Sequence, residues 1–464
     1  MRAEAFLNAE ESQISSYRTT APRAGGIGRL VRRADETKYR DQPAALEPMV
    51  ASTAVGRLGD GRNFGGRGGL MTRATPTRRE VSPLELFFDL VFVLAIGQLT
   101  HHLTAHLSWR SAAETLVVLV AVCGVWAFTS FEVTLLDIER RATRTITLAV
   151  MGLALFMNAG IAHAFDDGPW LFVVPMLVAL GGPAACAAMA APTPPLRTHF
   201  RHVLIWFAVS APFWIAGAAL GPDIRLYCWA AGAAIDLVGT WTAHPVRGRA
   251  VRTAHLPFDA EHMLERMRLF LIILLGETVL TLGRVISDHR GEPVVLVLAL
   301  GCATALVCLW AVYFGRSEEL VVSHAAEIEN PIRAVHVGIN TIYGVVAGLV
   351  VFAAGSELLL AQPVSESAGT AGVLVLAGPM LYLLAQAIFF RWEMGSGWRT
   401  RLAGAGALAV GAALAYWLPA WTVILVLVGV LLTLAAVISR TTAPSAARAD
   451  SGAESHDSDH NTDF

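Results

Sequence analysis

Lysine, and charge of either sign, are scarce in this chain. Lys38 is the only lysine among 464 residues, and Asp, Glu, Lys and Arg together make up 16% of the sequence. Soluble proteins average about 25% charged residues, so this composition excludes an ordinary water-soluble domain. The formal net charge is −2 and the arginines are spread along the chain, which gives no basis for a nucleic-acid partner.

Motifs of cofactor and catalytic chemistry are missing as well. The glycine-rich stretch at 59–69 lacks the GK[ST] ending of a phosphate-binding loop, and no GxSxG or HExxH motif occurs. The five cysteines stand singly inside apolar runs, which favours buried small hydrophobes over zinc ligands or disulfides. His102 and His106 have the i, i+4 spacing of a metal pair, but interfacial histidines are the favoured interpretation. We therefore expect neither a metal nor a cofactor.

Long apolar runs dominate the rest of the sequence. Hydrophobic residues make up 55% of the chain, and the mean hydropathy is +0.53. Runs that can cross roughly 30 Å of hydrocarbon recur with little between them, and only helices suit such lengths in lipid. The pattern predicts an all-α polytopic membrane protein with about twelve transmembrane helices: 84–105, 112–136, 144–165, 170–191, 200–220, 225–243, 264–285, 293–314, 333–355, 371–391, 402–418 and 420–439.

The loops between these runs alternate in charge. Those on one side contain nearly all the loop arginines, and those on the other, such as FDDGP at 165–169, contain acids. Because cytoplasmic loops are enriched in Lys and Arg, both termini are predicted in the cytoplasm of a plasma-membrane protein, which requires an even number of spans. The arginines concerned are Arg78, Arg79, Arg140, Arg141, Arg144, Arg197, Arg201, Arg247, Arg249, Arg252, Arg316, Arg333, Arg391, Arg399, Arg401 and Arg440.

Two polar segments flank the membrane domain predicted at 81–440. Residues 1–80 are rich in Arg and Gly without sustained periodicity, which predicts disorder. Met71 opens a short basic leader and is an alternative start, so residues 1–70 could lie upstream of the true one. Residues 441–464 form a polar tail, also expected to be disordered.

Two carboxylates interrupt the first apolar run. Ser82 is a plausible N-cap, Pro83 suits the first helical position, and Glu85 falls in the first turn. Glu85 and Asp89 are four residues apart and so lie on one face of the helix. Acids at that depth are costly unless they meet a partner, headgroups or water. We expect Asp89 to be buried and paired or water-facing.

This run also carries a family resemblance. ELFFDLVFVLAIGQL at 85–99 resembles the opening helix of the bacterial low temperature requirement A (LtrA) family of integral membrane proteins. Glu265-Arg266 followed by LFLIILLGE at 269–277 is a second stretch of the same kind. The resemblance covers roughly residues 80 to 440. It implies an integral membrane protein and carries no reaction, substrate or cofactor.

An internal repeat is a further prediction. Trp126 in the second run aligns with Trp310 in the eighth, and Gly97 in the first aligns with Gly276 in the seventh. The offsets, 184 and 179 residues, favour two six-helix halves of one orientation, 81–243 and 262–440, joined by a linker at 244–261.

Polar residues elsewhere in the runs complete the candidate site. Glu277 lies near the outer end of the seventh run, beside Gly276, which could allow close helix approach. Intramembrane ionisable groups mark pathways and relays more often than chance. The candidate pathway is Glu85, Asp89, Glu277, His336, Asn340 and His163, and the candidate charge pairing is Glu265, Arg266 and Arg268. Glu132, Asn158, Asp236, Glu357 and Gln386 are interpreted individually as structural.

Three functions remain open from the sequence. A transporter-like role, moving an unidentified small molecule or ion, is favoured because ionisable groups lie in the spans and no soluble catalytic domain is recognisable. The first alternative is a membrane-embedded enzyme acting on a lipid or hydrophobic metabolite, with Glu85 and Asp89 transferring protons. The second is a structural or stress-response membrane protein whose charges only hold helices together. The oligomeric state is not determined.

Overall fold

The computed structural model describes residues 81–136, 140–246, 258–288, 292–315 and 331–441, with side chains from Val335 to Arg440 in the last range. The predictions for residues 1–80 and for the tail beyond 441 lie outside these ranges, as do 247–257 of the linker. The described part of the chain is helical and contains no strand. This confirms the predicted all-α class.

The helices follow one another with short connections. A 3₁₀ turn, Gly160–His163, extends α4, and a π-helical turn, Phe390–Met394, extends α11. In the described ranges the helices are α1 (Pro83–Val91), α2 (Val93–Ala105), α3 (Trp109–Leu136), α4 (Arg141–Ala159), α5 (Pro169–Ala190), α6 (Pro194–Ala219), α7 (Pro222–Trp241), α8 (Ala260–Asp288), α9 (Pro293–Phe314), α10 (Pro331–Ala361), α11 (Gly369–Phe389), α12 (Trp398–Leu414) and α13 (Ala420–Thr441).

Each of the twelve predicted spans corresponds to one helix, with α1 and α2 together forming the first. Ten of these spans in the described ranges are long and apolar enough to cross a membrane. The exceptions are α7, whose composition is less apolar because it includes Arg225 and Asp236, and α12, which has only 17 residues. Within the described ranges, length and composition thus support ten of the twelve predicted spans, close to the predicted number.

The first span is interrupted at Phe92. The Phe92 N–H donates to the Asp89 carbonyl and the Ala95 N–H to the Phe92 carbonyl, both at 3.2 Å and both in the tighter i→i+3 pattern. The Asn158 side chain of α4 donates through Nδ2 to the Val91 carbonyl at 2.9 Å. A side chain that enters the helical ladder in this way is a recognised cause of helix bending. The hydrogen-bond pattern of the span is therefore irregular at Phe92, three residues after Asp89.

The bundle is apolar inside and outside. α10 lies at its centre, in contact with α2, α3, α8, α9 and α11. Large apolar side chains also point outward; Leu300 of α9, for example, is 69% exposed. An exposed apolar belt of this kind is unfavourable in water and favourable against acyl chains. The protein is thus a multi-pass membrane protein with the lipid bilayer as its surroundings.

Glycines allow α10 and α11 to pack closely. A Cβ on Gly378 of α11 would lie 2.5 Å from the backbone nitrogen of Phe352 and 2.6 Å from the carbonyl oxygen of Gly348 on α10. Small residues let membrane helices approach to backbone contact. The two helices can therefore keep this spacing only while position 378 has no side chain.

We expect Gly378→Ala to destabilise the protein, because its methyl group would meet backbone atoms that cannot move independently. Thermal unfolding in detergent measures this as a lower midpoint. Gly406→Ala in α12 is the matched control, since a Cβ there has no neighbour within 4 Å. The control should be neutral or slightly stabilising, because alanine favours a helix by about 1 kcal/mol over glycine. Equal midpoints for both variants would contradict this packing.

Candidate functional site

The start of α1 holds Glu85 in place. The Ser82 side chain accepts a hydrogen bond from the Glu85 N–H at 3.3 Å, and the Ser82 N–H donates to Glu85 Oε2 at 2.9 Å. This reciprocal capping box, with Pro83 at the first helical position, confirms the N-terminus predicted from the sequence. Capping occupies Oε2 and leaves Oε1 free to face another helix.

The partner helix is α8. His262 Nε2 lies 2.9 Å from Glu85 Oε1, and Arg266 donates through Nη2 to Asp89 Oδ1 at 2.8 Å. Both contacts join residues 177 positions apart, and each helix supplies its two residues at i, i+4 spacing. The two helix beginnings therefore lie side by side in the same direction, one turn matched to one turn. We call these four residues the tetrad.

The tetrad is enclosed. Each of its side chains is at most 1% exposed. Trp126 of α3 donates through Nε1 to Asp89 Oδ1 at 2.8 Å, and the Arg266 guanidinium lies 5.6 Å from the ring centre of Phe88. Asp89 Oδ2 has no hydrogen-bond partner among the described residues. Asp89 thus has a cation, an indole donor and one spare acceptor.

Arg266 lies between the two acids. Its Nη1 is 3.8 Å from Glu85 Oε1, against 2.8 Å from Nη2 to Asp89 Oδ1. The sequence grouped Arg266 with Glu265 and Arg268 as a candidate charge pairing. In the structure Arg266 is buried against α1, where it pairs with Asp89. Glu265 and Arg268 are half-buried beside it on α8.

Glu277 lies further along the same pair of helices. Its Oε1 would be 3.1 Å from a Cβ placed on Gly97 of α2, and it pairs with the largely exposed Arg284 at 3.4 Å. A Cβ on Gly276 would have no neighbour within 4 Å. The expected close approach at Gly276 is therefore wrong: Gly97 is the residue that makes room for the carboxylate. Glu277 is eleven residues from Arg266, about 16 Å along the helix, so the two remain separate.

The remaining candidate residues lie elsewhere. His336 is half-buried near the start of α10, with its ring stacked on Phe131 at 6.0 Å between centroids. Asn340 lies one turn further, and its Oδ1 has no partner among the described residues. His163 is exposed at the end of the 3₁₀ turn after α4. No described contact joins these three residues to the tetrad.

The residues aligned by the repeat differ in their surroundings. Trp126 is fully buried and bonded to Asp89, whereas Trp310 is 48% exposed. Gly97 contacts Glu277, and Gly276 contacts nothing comparable. The two six-helix halves therefore stay a prediction.

Sequence reasoning missed His262. Its signal was available, because His262 and Arg266 repeat on α8 the four-residue spacing of Glu85 and Asp89 on α1. Trp126 was noted only for the repeat, and Asn158 only as a structural amide. Their contacts with the first span join residues 37 and 67 positions apart, which local spacing cannot show.

Comparison with known proteins gives two matches. The family model described as bacterial low temperature requirement A protein (LtrA) matches residues 80–436. An uncharacterized protein of Rhizobium meliloti (strain 1021) is 31% identical over 308 residues, which cover 64% of this chain and 74% of that protein. The family match includes all four tetrad residues and Glu277.

We expect Arg266→Met and Asp89→Asn to be strongly destabilising, and Arg266→Met more so, because it leaves a buried carboxylate without a cation. Removing one partner of a buried pair costs about 3–5 kcal/mol. The unfolding free energies of the two single variants and the double variant form a double-mutant cycle. The double variant should lose less unfolding free energy than the two single variants lose together.

The matched control is the Arg110–Glu114 pair of α3, joined at 2.8 Å with Arg110 53% exposed. Arg110→Met should cost about 0–1 kcal/mol, because Arg110 is half exposed and His102 remains 3.2 Å from Glu114. Additive losses at Arg266 and Asp89 would contradict the ion pair.

Proposed function

The chain belongs to the bacterial low temperature requirement A (LtrA) family of membrane proteins. From this premise and from the geometry of the tetrad, we propose that the protein moves a small solute or ion across the cytoplasmic membrane. Both termini lie in the cytoplasm in this proposal. The tetrad is the proposed coupling site. The observation that carries the proposal is the burial of two acids, a histidine and an arginine together between two membrane helices.

Stability alone does not account for this arrangement. Taking charges out of water has a large desolvation cost, and well-packed apolar residues often stabilise a protein as well as a buried ion pair or better. Ionisable groups within membrane spans are accordingly most common on ion paths and proton relays. A tetrad with one spare carboxylate oxygen supports such a role, since Asp89 Oδ2 can accept a further hydrogen bond.

The tetrad contains a means of switching. Arg266 is bonded to Asp89 and lies within 4 Å of Glu85, so a proton on Asp89 would weaken the first contact and favour the second. His262 is the side chain whose ordinary pKa is nearest neutrality, and it is bonded to Glu85. Two alternative pairings of one cation are the kind of bistable element that protonation can bias.

Polar groups also lie at the other end of this helix pair, around Glu277 and Arg284. Between the two ends Trp126 stacks on Phe270 at 4.2 Å, nearly parallel at 13°. Phe270 follows Arg266 by one turn, so this aromatic pair separates the tetrad from Glu277. We interpret it as the closed barrier of the proposed path, which must part when the tetrad rearranges.

One observation favours the structural alternative. Arg266 contacts Asp89 directly, and none of the described cavities is lined by a tetrad residue. A purely structural charge cluster would have this geometry without any movement of solute. The two functions can be told apart by measuring flux across a membrane, which only the transport function predicts.

The test of transport uses purified protein in vesicles, with an internal pH dye and an imposed membrane potential. We expect proton flux above that of protein-free vesicles, reduced about tenfold or more in Asp89→Asn and lowered in Glu277→Gln. Glu114→Gln is the matched control, because Glu114 is a buried acid with a histidine at 3.2 Å and an arginine at 2.8 Å, away from the tetrad. Wild-type flux that survives in both variants would remove the assignment of these acids, and no wild-type flux would favour the structural function.

The proposed orientation has its own test. In a background with the five cysteines replaced by alanine, Ser108→Cys lies between α2 and α3, and Ser396→Cys lies between α11 and α12. If all twelve predicted spans cross the membrane, a membrane-impermeant maleimide should label Ser108→Cys in intact cells, and Ser396→Cys only after the cells are opened. The reverse pattern would invert the topology.

A further inference from the structure

A cavity lies between α3, α6, α7 and α10, apart from the tetrad. Its wall includes Gly124 of α3, Trp206 and Trp214 of α6, Asp236 of α7 and Tyr343 of α10. The volume of the cavity itself is about 50 Å³. At roughly 10–15 Å³ of such volume per water molecule, it holds only a few waters. The space therefore suits a small molecule or ion rather than a lipid.

Asp236 is the acid of this wall, and it differs from the acids described so far. Glu85, Asp89, Glu114 and Glu277 each have an arginine or histidine within 4 Å. The described residues offer Asp236 no such ion pair; its Oδ2 accepts a hydrogen bond from Trp214 Nε1 at 2.9 Å. A carboxylate in a bundle that gives it only neutral donors is stabilised by any cation that enters the cavity.

The wall is also aromatic. Phe128, Trp206, Phe207, Trp214 and Tyr343 all line the space. The indole N–H of Trp206 donates to the Pro245 carbonyl at 3.1 Å, and that of Trp214 is used by Asp236, so both N–H groups are occupied. What these rings still offer is their π-systems, which attract cations and form the cages that recognise quaternary ammonium groups.

A second cavity adjoins the first, and the histidine on the wall between them does not add a positive charge that would repel a cation. That cavity shares Gly124, Phe128, Thr240 and His244 with the first and adds His199 and His336. His244 lies in the turn after α7. Burial, followed by the neighbouring His199, His336 and His202, lowers the pKa of His244 to about 3, so that its ring is neutral at physiological pH. His244 therefore adds no positive charge to the wall that the two cavities share.

We propose that this cavity binds a small organic monocation, a quaternary ammonium compound, with Asp236 as its counter-ion and the aromatic side chains around the cationic group. The assignment rests on the proposed transport function in that it names the class of cargo, while binding can be measured without transport. In this proposal Asp236 supplies the negative charge that balances the cation, and the aromatic wall supplies the shape of the binding site.

Binding is tested on the full chain in lipid nanodiscs by titration calorimetry. The probes are choline, tetramethylammonium and 3,3-dimethylbutan-1-ol, a neutral molecule of the same shape as choline. We expect choline and tetramethylammonium to bind and the alcohol to bind about tenfold more weakly or less. Asp236→Asn should weaken choline binding about tenfold or more, and Glu114→Gln should leave it unchanged.

A second pair of variants needs no change of charge. A Cβ at position 124 would lie 3.7 Å from the Tyr343 hydroxyl, an ordinary contact, so Gly124→Ala should keep binding. Gly124→Leu should abolish it by filling the space. Thermal unfolding checks that each variant is folded. If Asp236→Asn is not folded, two other results decide whether the cavity binds cations: the comparison of choline with the neutral alcohol on the wild type, and the comparison of Gly124→Ala with Gly124→Leu.

Three outcomes overturn the cavity assignment: no binding of either cation by the wild type, equal binding of the alcohol, or choline binding that survives in both folded Asp236→Asn and Gly124→Leu. The assignment and the transport function fail separately. Specific choline binding without choline or proton flux in vesicles would leave the cavity standing and reject transport. Proton flux without binding of either cation would support transport and reject the cavity assignment.

Discussion

A charge enclosed by membrane helices needs a compensating partner, and Asp89 and Arg266 are such partners for each other. Neither side chain can reach water, so α1 and α8 must lie together with their first turns matched. The contacts of His262 with Glu85 and of Trp126 with Asp89 follow from the same placement. One ion pair thereby fixes the relation of three helices, α1, α3 and α8.

The backbone obeys the same rule as the charges. Where the first span breaks at Phe92, the Val91 carbonyl receives the Asn158 amide, because a carbonyl without a donor is costly in lipid. The interruption falls three residues after Asp89. The carboxylate, the interruption and the Asn158 amide of α4 thus lie close together along the first span.

Two polar centres with different chemistry result. The tetrad contains its own cation and is closed, whereas Asp236 faces a cavity with aromatic walls and has no cation of its own in the described structure. In the proposed function the first centre responds to protons and the second holds the cargo. α3 connects them, because Trp126 bonds to Asp89 while Gly124, two residues earlier, lines the cavity.

The sequence by itself determined the lipid surroundings and the class of the protein. An all-helical membrane protein follows from apolar runs of spanning length, few charges and the capped helix start at Ser82. These features could be predicted because they depend on neighbours along the chain. The depth of Asp89 could be derived from 1.5 Å per residue, and its need for a partner from the cost of charge in lipid. The identity of the partners could not. His262 and Arg266 are 177 residues from Glu85 and Asp89, Gly97 rather than Gly276 accommodates Glu277, and Asp236 gains its aromatic wall from α3, α6 and α10. Only the packing of separate helices decides such contacts, because the energy of a buried polar group depends on what lies across the interface rather than on its own segment.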